Sequence, residues 1–202
     1  MPIFKEIHSD DNHIAIWQID ENEDVLLREF GSLVDLPVNP RRRLERLAVL
    51  NLIKQLGLGD RYHYQPDGRP YLPTNDSHIS ISHAGNKVVV AVNPSKPIGV
   101  DIEKTERNYK RVAPKFMSQR EICHVTNYGA NELSLIWCVK EAVYKLPWGV
   151  SKCFSTEVDV LVEVDMLHRG WCTVKVKHNG EWNYMRANFE YFDNYCLVWV
   201  NL

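Results

Sequence analysis

Ile98-Gly99-Val100-Asp101-Ile102-Glu103 is the stretch from which the rest of the chain is best read. Written as a strand, it puts Ile98, Val100 and Ile102 on one face and Gly99, Asp101 and Glu103 on the other. Two carboxylates then point the same way, beside a glycine that lets another group come close. Hard cations such as magnesium are held in this fashion, by one or two carboxylates together with water and substrate phosphate. The same six residues also suit an amphipathic strand whose acidic face simply meets water.

Working upstream, 88–92 and 79–82 read as strands, and Asn93-Pro94 and Lys96-Pro97 punctuate the space between 88–92 and the opening stretch. The segment 62–72 is turn-rich through Pro66-Asp67-Gly68-Arg69-Pro70. Before it a helix is predicted, with Asn39 as cap, Pro40 at the first helical position and Gly57 as the stop. Residues 14–19 give an early strand ending in an acidic turn at 20–24. Downstream, 112–125 is basic and helix-like, and a stronger helix is predicted over 132–146, stopped by Pro147. From 154 to 202 the residues alternate in strand fashion, with Asn179-Gly180 and Asp193-Asn194 as turns. Both sides of the opening stretch thus offer helix plus sheet, an α+β design. The expected division is an α/β half over 1–103, which the acidic strand closes, and a second over 104–202.

Of the 202 residues 45% are hydrophobic and 25% charged, a globular balance. The formal net charge of -2 lacks the basic signature of broad nucleic-acid binding. Five cysteines, irregularly spaced and without C-x-x-C, support neither a zinc knuckle nor a disulfide framework, so reduced thiols in a cytosolic protein are expected. The N-terminus lacks the apolar core of a signal peptide, and no apolar run approaches the ~20 residues that span a bilayer. A cytoplasmic protein away from the membrane is the expectation.

Three further clusters could carry chemistry. Glu141 and Lys145 lie four apart on the 132–146 helix, whose buried stripe is Leu133, Ile136, Val143 and Leu146. Such a pair could set a general base or metal ligand beside a phosphate-binding cation; taken in isolation it reads as a solvated surface pair, since such pairs are frequent on helices. Ser80-Ile81-Ser82-His83-Ala84-Gly85 leaves a strand for a glycine turn, which suits a phosphate cradle or an ordinary hairpin. Arg41, Arg42, Arg43 and Arg46 crowd a helix start, where the macrodipole disfavours cations. A bound phosphate would relieve that conflict; a solvated basic end would tolerate it.

In order, these segments resemble the 4′-phosphopantetheinyl transferases, in particular the larger type that activates surfactin and other peptide synthetases. That family shows a Ser-His turn, here Ser82-His83; then a G-x-D-x-E strand, here Gly99 to Glu103; then an F-x-x-x-E-like segment, here matched loosely by 116–121. It ends on W-x-x-K-E-x-x-x-K, here Trp137 to Lys145. The similarity covers roughly 41–149. No chemistry is assigned to 116–121, and the last 50 or so residues carry no family motif.

The resemblance implies two similar α/β halves with the active site between them, all within one chain. The shorter type of the family trimerises; this chain is too long for that, and a monomer is expected. The resemblance further implies Asp101 and Glu103 as magnesium ligands, with Glu141 as third ligand or general base. Lys145 would hold a phosphate in the transition state, and Ser82 and His83 would contact phosphate. Arg42 or Arg43, with Arg69, would grip coenzyme A, including its 3′-phosphate. The partners implied are coenzyme A and an acyl or peptidyl carrier protein, with neither nucleic acid nor membrane. The carboxylates are expected to line a wet cleft. A magnesium nuclease is the competing enzyme class, but its acid-spacer-Lys pattern is missing, since Lys104 follows Glu103 directly. A non-catalytic coenzyme A or carrier-binding module is disfavoured by the full set Asp101, Glu103, Glu141 and Lys145.

Overall fold

The computed structural model describes residues 3–30, 36–124, 127–148, 153–163 and 165–202. The chain divides into two compact units, 1–96 and 97–202. Among the described residues no helix is long and apolar enough to cross a membrane.

The first unit opens with a hairpin, β1 (Lys5–Ser9) and β2 (Asn12–Gln18), followed by helices α1 (Glu23–Phe30) and α2 (Pro40–Gln55). A two-residue hairpin, β3 (His63–Tyr64) with β4 (Pro70–Tyr71), spans the turn-rich segment. β5 (His78–Ala84) and β6 (Lys87–Asn93) complete the unit. The main sheet is antiparallel, in the order β1-β2-β6-β5. α2 packs on β2 and β6 and buries Leu47, Leu50, Leu52 and Ile53 completely. Its ends follow the sequence signals. The Asn39 side chain accepts a hydrogen bond from the Arg42 amide, Pro40 leads the helix, and Gly57 takes φ +70° just beyond the end. β1 and α1 are elements the sequence reading does not contain; the acidic turn at 20–24 runs directly into α1.

The second unit begins with β7 (Ile98–Lys104), then α3 (Tyr109–Phe116), α4 (Gln119–Ile122) and the long α5 (Ala130–Tyr144). After them come α6 (Phe154–Glu157), β8 (Val158–Leu161), α7 (Met166–Arg169), β9 (Trp171–His178), β10 (Glu181–Phe192) and β11 (Tyr195–Asn201). The sheet order is β7-β11-β10-β9-β8. The predicted turns hold, with Asn179, Gly180, Asp193 and Asn194 all at positive φ. The basic helix expected over 112–125 is two helices, parted where Ser118 caps α4 and forms a reciprocal capping box with Glu121; its end at Val125 lies outside the described residues. Residues 154–157, read as strand, form a helical turn instead.

The acidic strand is also placed differently from the expectation. β7 pairs with β11, with Asp101 opposite Val198 and Glu103 opposite Cys196. It therefore opens the second unit rather than closing the first. A strand shows its own periodicity in sequence, but its partner here lies more than ninety residues away, and only pairing decides which sheet it joins.

Candidate active site

α5 packs against β7 and β11. Gly99 makes the close approach possible, because a Cβ there would sit 2.0 Å from the Ala142 carbonyl oxygen. The glycine of the acidic strand thus makes room for a helix backbone. Gly99, Asp101 and Glu103 share a face, so α5 lies over the carboxylates too. Asp101 is only 5% exposed. It does not face the wet cleft expected for it but is buried, while Glu103 is half-buried.

Lys145, the C-cap of α5, reaches back to this strand. Its Nζ donates to Asp101 Oδ1 at 2.9 Å and to the Val100 carbonyl at 2.7 Å. Glu103 Oε1 accepts from Trp137 Nε1 at 2.9 Å and from Arg107 Nη1 at 2.6 Å. That hydrogen bond holds the Arg107 guanidinium above its ordinary pKa. Glu141 lines a cleft of about 370 Å³ whose rim carries Arg107 and Lys115 and whose wall is built from Trp137, Phe116 and Phe154. Phe116 and Phe154 both meet Trp137 edge-on. Tyr109 lines the same cleft, and burial pushes its phenol well above the usual range.

The expected carboxylate triad is not gathered into one tight set. Among the described residues, the set of three potential metal ligands whose donor atoms all lie within 4.8 Å of one another is Glu6, His8 and His13. Asp101, Glu103 and Glu141 share a helix–strand layer without converging to that degree. Asp101 and Glu103 alone still offer an oxygen-only pair, the donor type a hard cation takes.

In the first unit, Arg42 and His83 come together, with Arg42 Nη1 3.3 Å from His83 Nε2. His83 Nδ1 in turn lies 3.5 Å from Glu45 Oε1, and Arg41 Nε donates to the same oxygen at 3.1 Å. Arg43 points elsewhere, its Nε 2.6 Å from Glu23 Oε1 on α1. Ser82 is 7% exposed on β5. Arg69 folds onto Asp67 and Gln65 within its own turn. Crowded arginines at the start of α2 thus have the carboxylates Glu45 and Glu23 beside them, two negative charges that offset part of the positive charge of Arg41, Arg42 and Arg43. Arg42, rather than Arg43, is the arginine that shares a surface with His83.

Sequence reasoning missed a buried polar knot in the second unit. Lys140 is fully buried, and its Nζ donates to Glu121 Oε2 at 2.6 Å, to the Phe116 carbonyl at 2.9 Å and to the Val158 carbonyl at 2.8 Å. Glu121 also accepts from the amides of Ser118 and Val160. Burial raises the pKa of Glu121 and lowers that of Lys140, against their mutual attraction. The pair ties α4 to α5, and so joins the 116–121 segment to the one that carries Glu141. A signal was present: Leu133, Ile136, Lys140 and Val143 follow helical spacing, so Lys140 falls on the apolar stripe.

Comparison with known proteins agrees with this layout. A 4′-phosphopantetheinyl transferase of Bacillus subtilis is 35% identical over 92 residues, 43% of this chain and 41% of its own. The 4′-phosphopantetheinyl transferase Sfp of Bacillus subtilis (strain 168) is 34% identical over 104 residues, 48% of this chain and 46% of its own. A Haemophilus influenzae relative, provisionally named for the same activity, is 25% identical over 195 residues, 79% of this chain and 81% of its own. The chain spans less than half the length of the two Bacillus subtilis relatives. The model of the 4′-phosphopantetheinyl transferase superfamily matches residues 97–198. That match starts one residue before the acidic strand and ends inside the strand paired with it, taking in α5 and nearly the whole second unit, and this chain belongs to the 4′-phosphopantetheinyl transferase superfamily.

Proposed function

We propose that the protein transfers the 4′-phosphopantetheine group of coenzyme A to a serine of an apo acyl or peptidyl carrier protein, releasing 3′,5′-ADP. The observation that carries this reading is the family match over the unit in which β7 and α5 set Asp101 and Glu103 beside Lys145 and Trp137. Asp101 and Glu103 would hold magnesium, which when bound neutralises charge on the pyrophosphate. Glu141, on the wall of the cleft, takes the proton of the attacking serine. The serine oxygen forms a bond to the β-phosphorus, the bond from that phosphorus to the bridging oxygen breaks, and 3′,5′-ADP departs with the electron pair. The Lys145 ammonium opposes the charge that develops on the phosphoryl oxygens. Arg42, His83 and Ser82 contact phosphates of coenzyme A, with Arg69 in support, and the aromatic wall of the cleft takes the apolar part of the pantetheine arm. In this reading the protein works in the cytoplasm as a monomer.

The test is mass spectrometry of apo carrier proteins after incubation with coenzyme A and magnesium. A carrier should gain the mass of phosphopantetheine while 3′,5′-ADP accumulates in equal amount. Several apo carriers left unmodified under those conditions would sink the proposal.

A further inference from the structure

β1 is an edge strand with β2 as its partner in the sheet, and its outward face carries chemistry that the site above does not use. Glu6 and His8 alternate onto one face of β1, and His13 stands directly opposite His8 in the register. Asp10, at φ +51°, helps turn the chain between the strands. The two imidazoles stack, with centroids 4.2 Å apart and planes at 25°. Both approach a single carboxylate oxygen, since Glu6 Oε2 lies 2.9 Å from His13 Nε2 and 3.6 Å from His8 Nε2.

We infer that Glu6, His8 and His13 form a binding site for a divalent transition-metal ion of the zinc class. Zinc bonds imidazole nitrogen at about 2.0–2.1 Å and carboxylate oxygen at about 2.0–2.2 Å. At a tetrahedral angle those lengths set neighbouring donor atoms roughly 3.3–3.5 Å apart. The two measured nitrogen–oxygen separations, 2.9 and 3.6 Å, straddle that value. Two imidazoles with one carboxylate select against magnesium and calcium, which take oxygen donors, and favour zinc, nickel or copper. The metal takes the place of the direct contact between His13 Nε2 and Glu6 Oε2. Rings stacked at 25° do not aim both lone pairs at one point, so one ring must tilt. The His8 side chain, 67% exposed, is able to do so about its broad terminal torsion. Three protein donors leave a fourth position for water. The bound ion would clip β1 to β2 and fasten the edge of the first sheet.

Zinc is titrated into the chain with Cys123 and Cys153 replaced by Ser, in excess magnesium, by calorimetry and by NMR of the imidazole nitrogens. The expected result is a one-to-one complex in which the His8 and His13 resonances move together and amide exchange slows in β1 and β2. His8→Ala, His13→Ala and Glu6→Gln should each weaken zinc about 10- to 100-fold or more, while circular dichroism stays that of the parent. Zinc affinity unchanged in these variants, or His8 and His13 resonances that stay still through the titration, overturns the site.

Discussion

Gly99→Ala probes the packing on which the candidate site stands. The new Cβ would lie 2.0 Å from the Ala142 oxygen, 3.0 Å from its carbon and 3.2 Å from Val200 Cγ2. Ordinary contact requires the helix to retreat from β7 by about 1.4 Å. Overpacking of this kind costs about 1–3 kcal/mol. For a chain of this size that corresponds to a melting temperature lower by about 2–12 °C. Function should suffer more than stability, because Ala142 adjoins Glu141 and lies one turn before Lys145, whose bonds to Asp101 and Val100 span the same gap. A misplacement of about 1 Å can cost ~100-fold in rate. Carrier modification and thermal unfolding are measured on the same preparation. Adding Ala142→Gly should not rescue either loss, since the clash is with the main chain. A variant that melts within a degree or two of the parent and modifies carrier at the parent rate would refute the close approach.

Lys140→Met leaves Glu121 buried without its cation and should cost about 3–5 kcal/mol in a denaturant titration, whereas removing both charges together should cost much less. The folded chain keeps the Glu121 proton to higher pH than the unfolded chain, so this group's contribution to stability falls as pH rises from 4.5 through the raised value; Glu121→Gln should remove that slope from a series of melting temperatures against pH. Arg42→Ala should raise the Michaelis constant for coenzyme A about 10- to 100-fold while changing that for 3′-dephospho-coenzyme A little, and Arg43→Ala, whose partner is Glu23, should lower stability more than affinity. Glu141→Gln should cut carrier modification by ~100-fold with an unchanged melting temperature, because its side chain lines a cleft. An Ellman titration of the native protein should show Cys123 and Cys153 reacting quickly and the buried Cys138, Cys172 and Cys196 slowly, burial having pushed Cys172 up to about 12.

What the sequence revealed and what it hid divide along local and non-local physics. Asn39-Pro40 and Gly57 mark α2 because capping and positive φ are decided within a few residues. Asn179-Gly180 and Asp193-Asn194 mark turns for the same reason. β1 escaped notice because two of its five residues are exposed and none is fully buried, and a short polar edge strand has little apolar alternation. α1 escaped because its acidic first turn reads as a loop. At the site, alternation in 98–103 correctly puts Gly99, Asp101 and Glu103 on one face. It cannot say that a helix covers that face, which is why Asp101 is buried. The arginines show a non-local partner as well, since Glu45 and Glu23, the carboxylates beside them, come from the second turn of α2 and from an unread helix.

β7 has β11 as its partner in the sheet, and that carries a consequence for the chain as it is made. Residues 3–96 contain every strand of the first sheet and can collapse while the remainder is still being translated. Asp101 and Glu103 emerge next, yet their strand lacks its sheet partner until residues 195–201 follow. At ordinary elongation rates of about 5–20 residues per second, the nascent acidic strand waits roughly 5–20 s with its edge unpaired. Early termination anywhere before β11 would therefore release a polypeptide with an ordered front portion and an acidic strand without its sheet partner, a product exposed to chaperones and proteases.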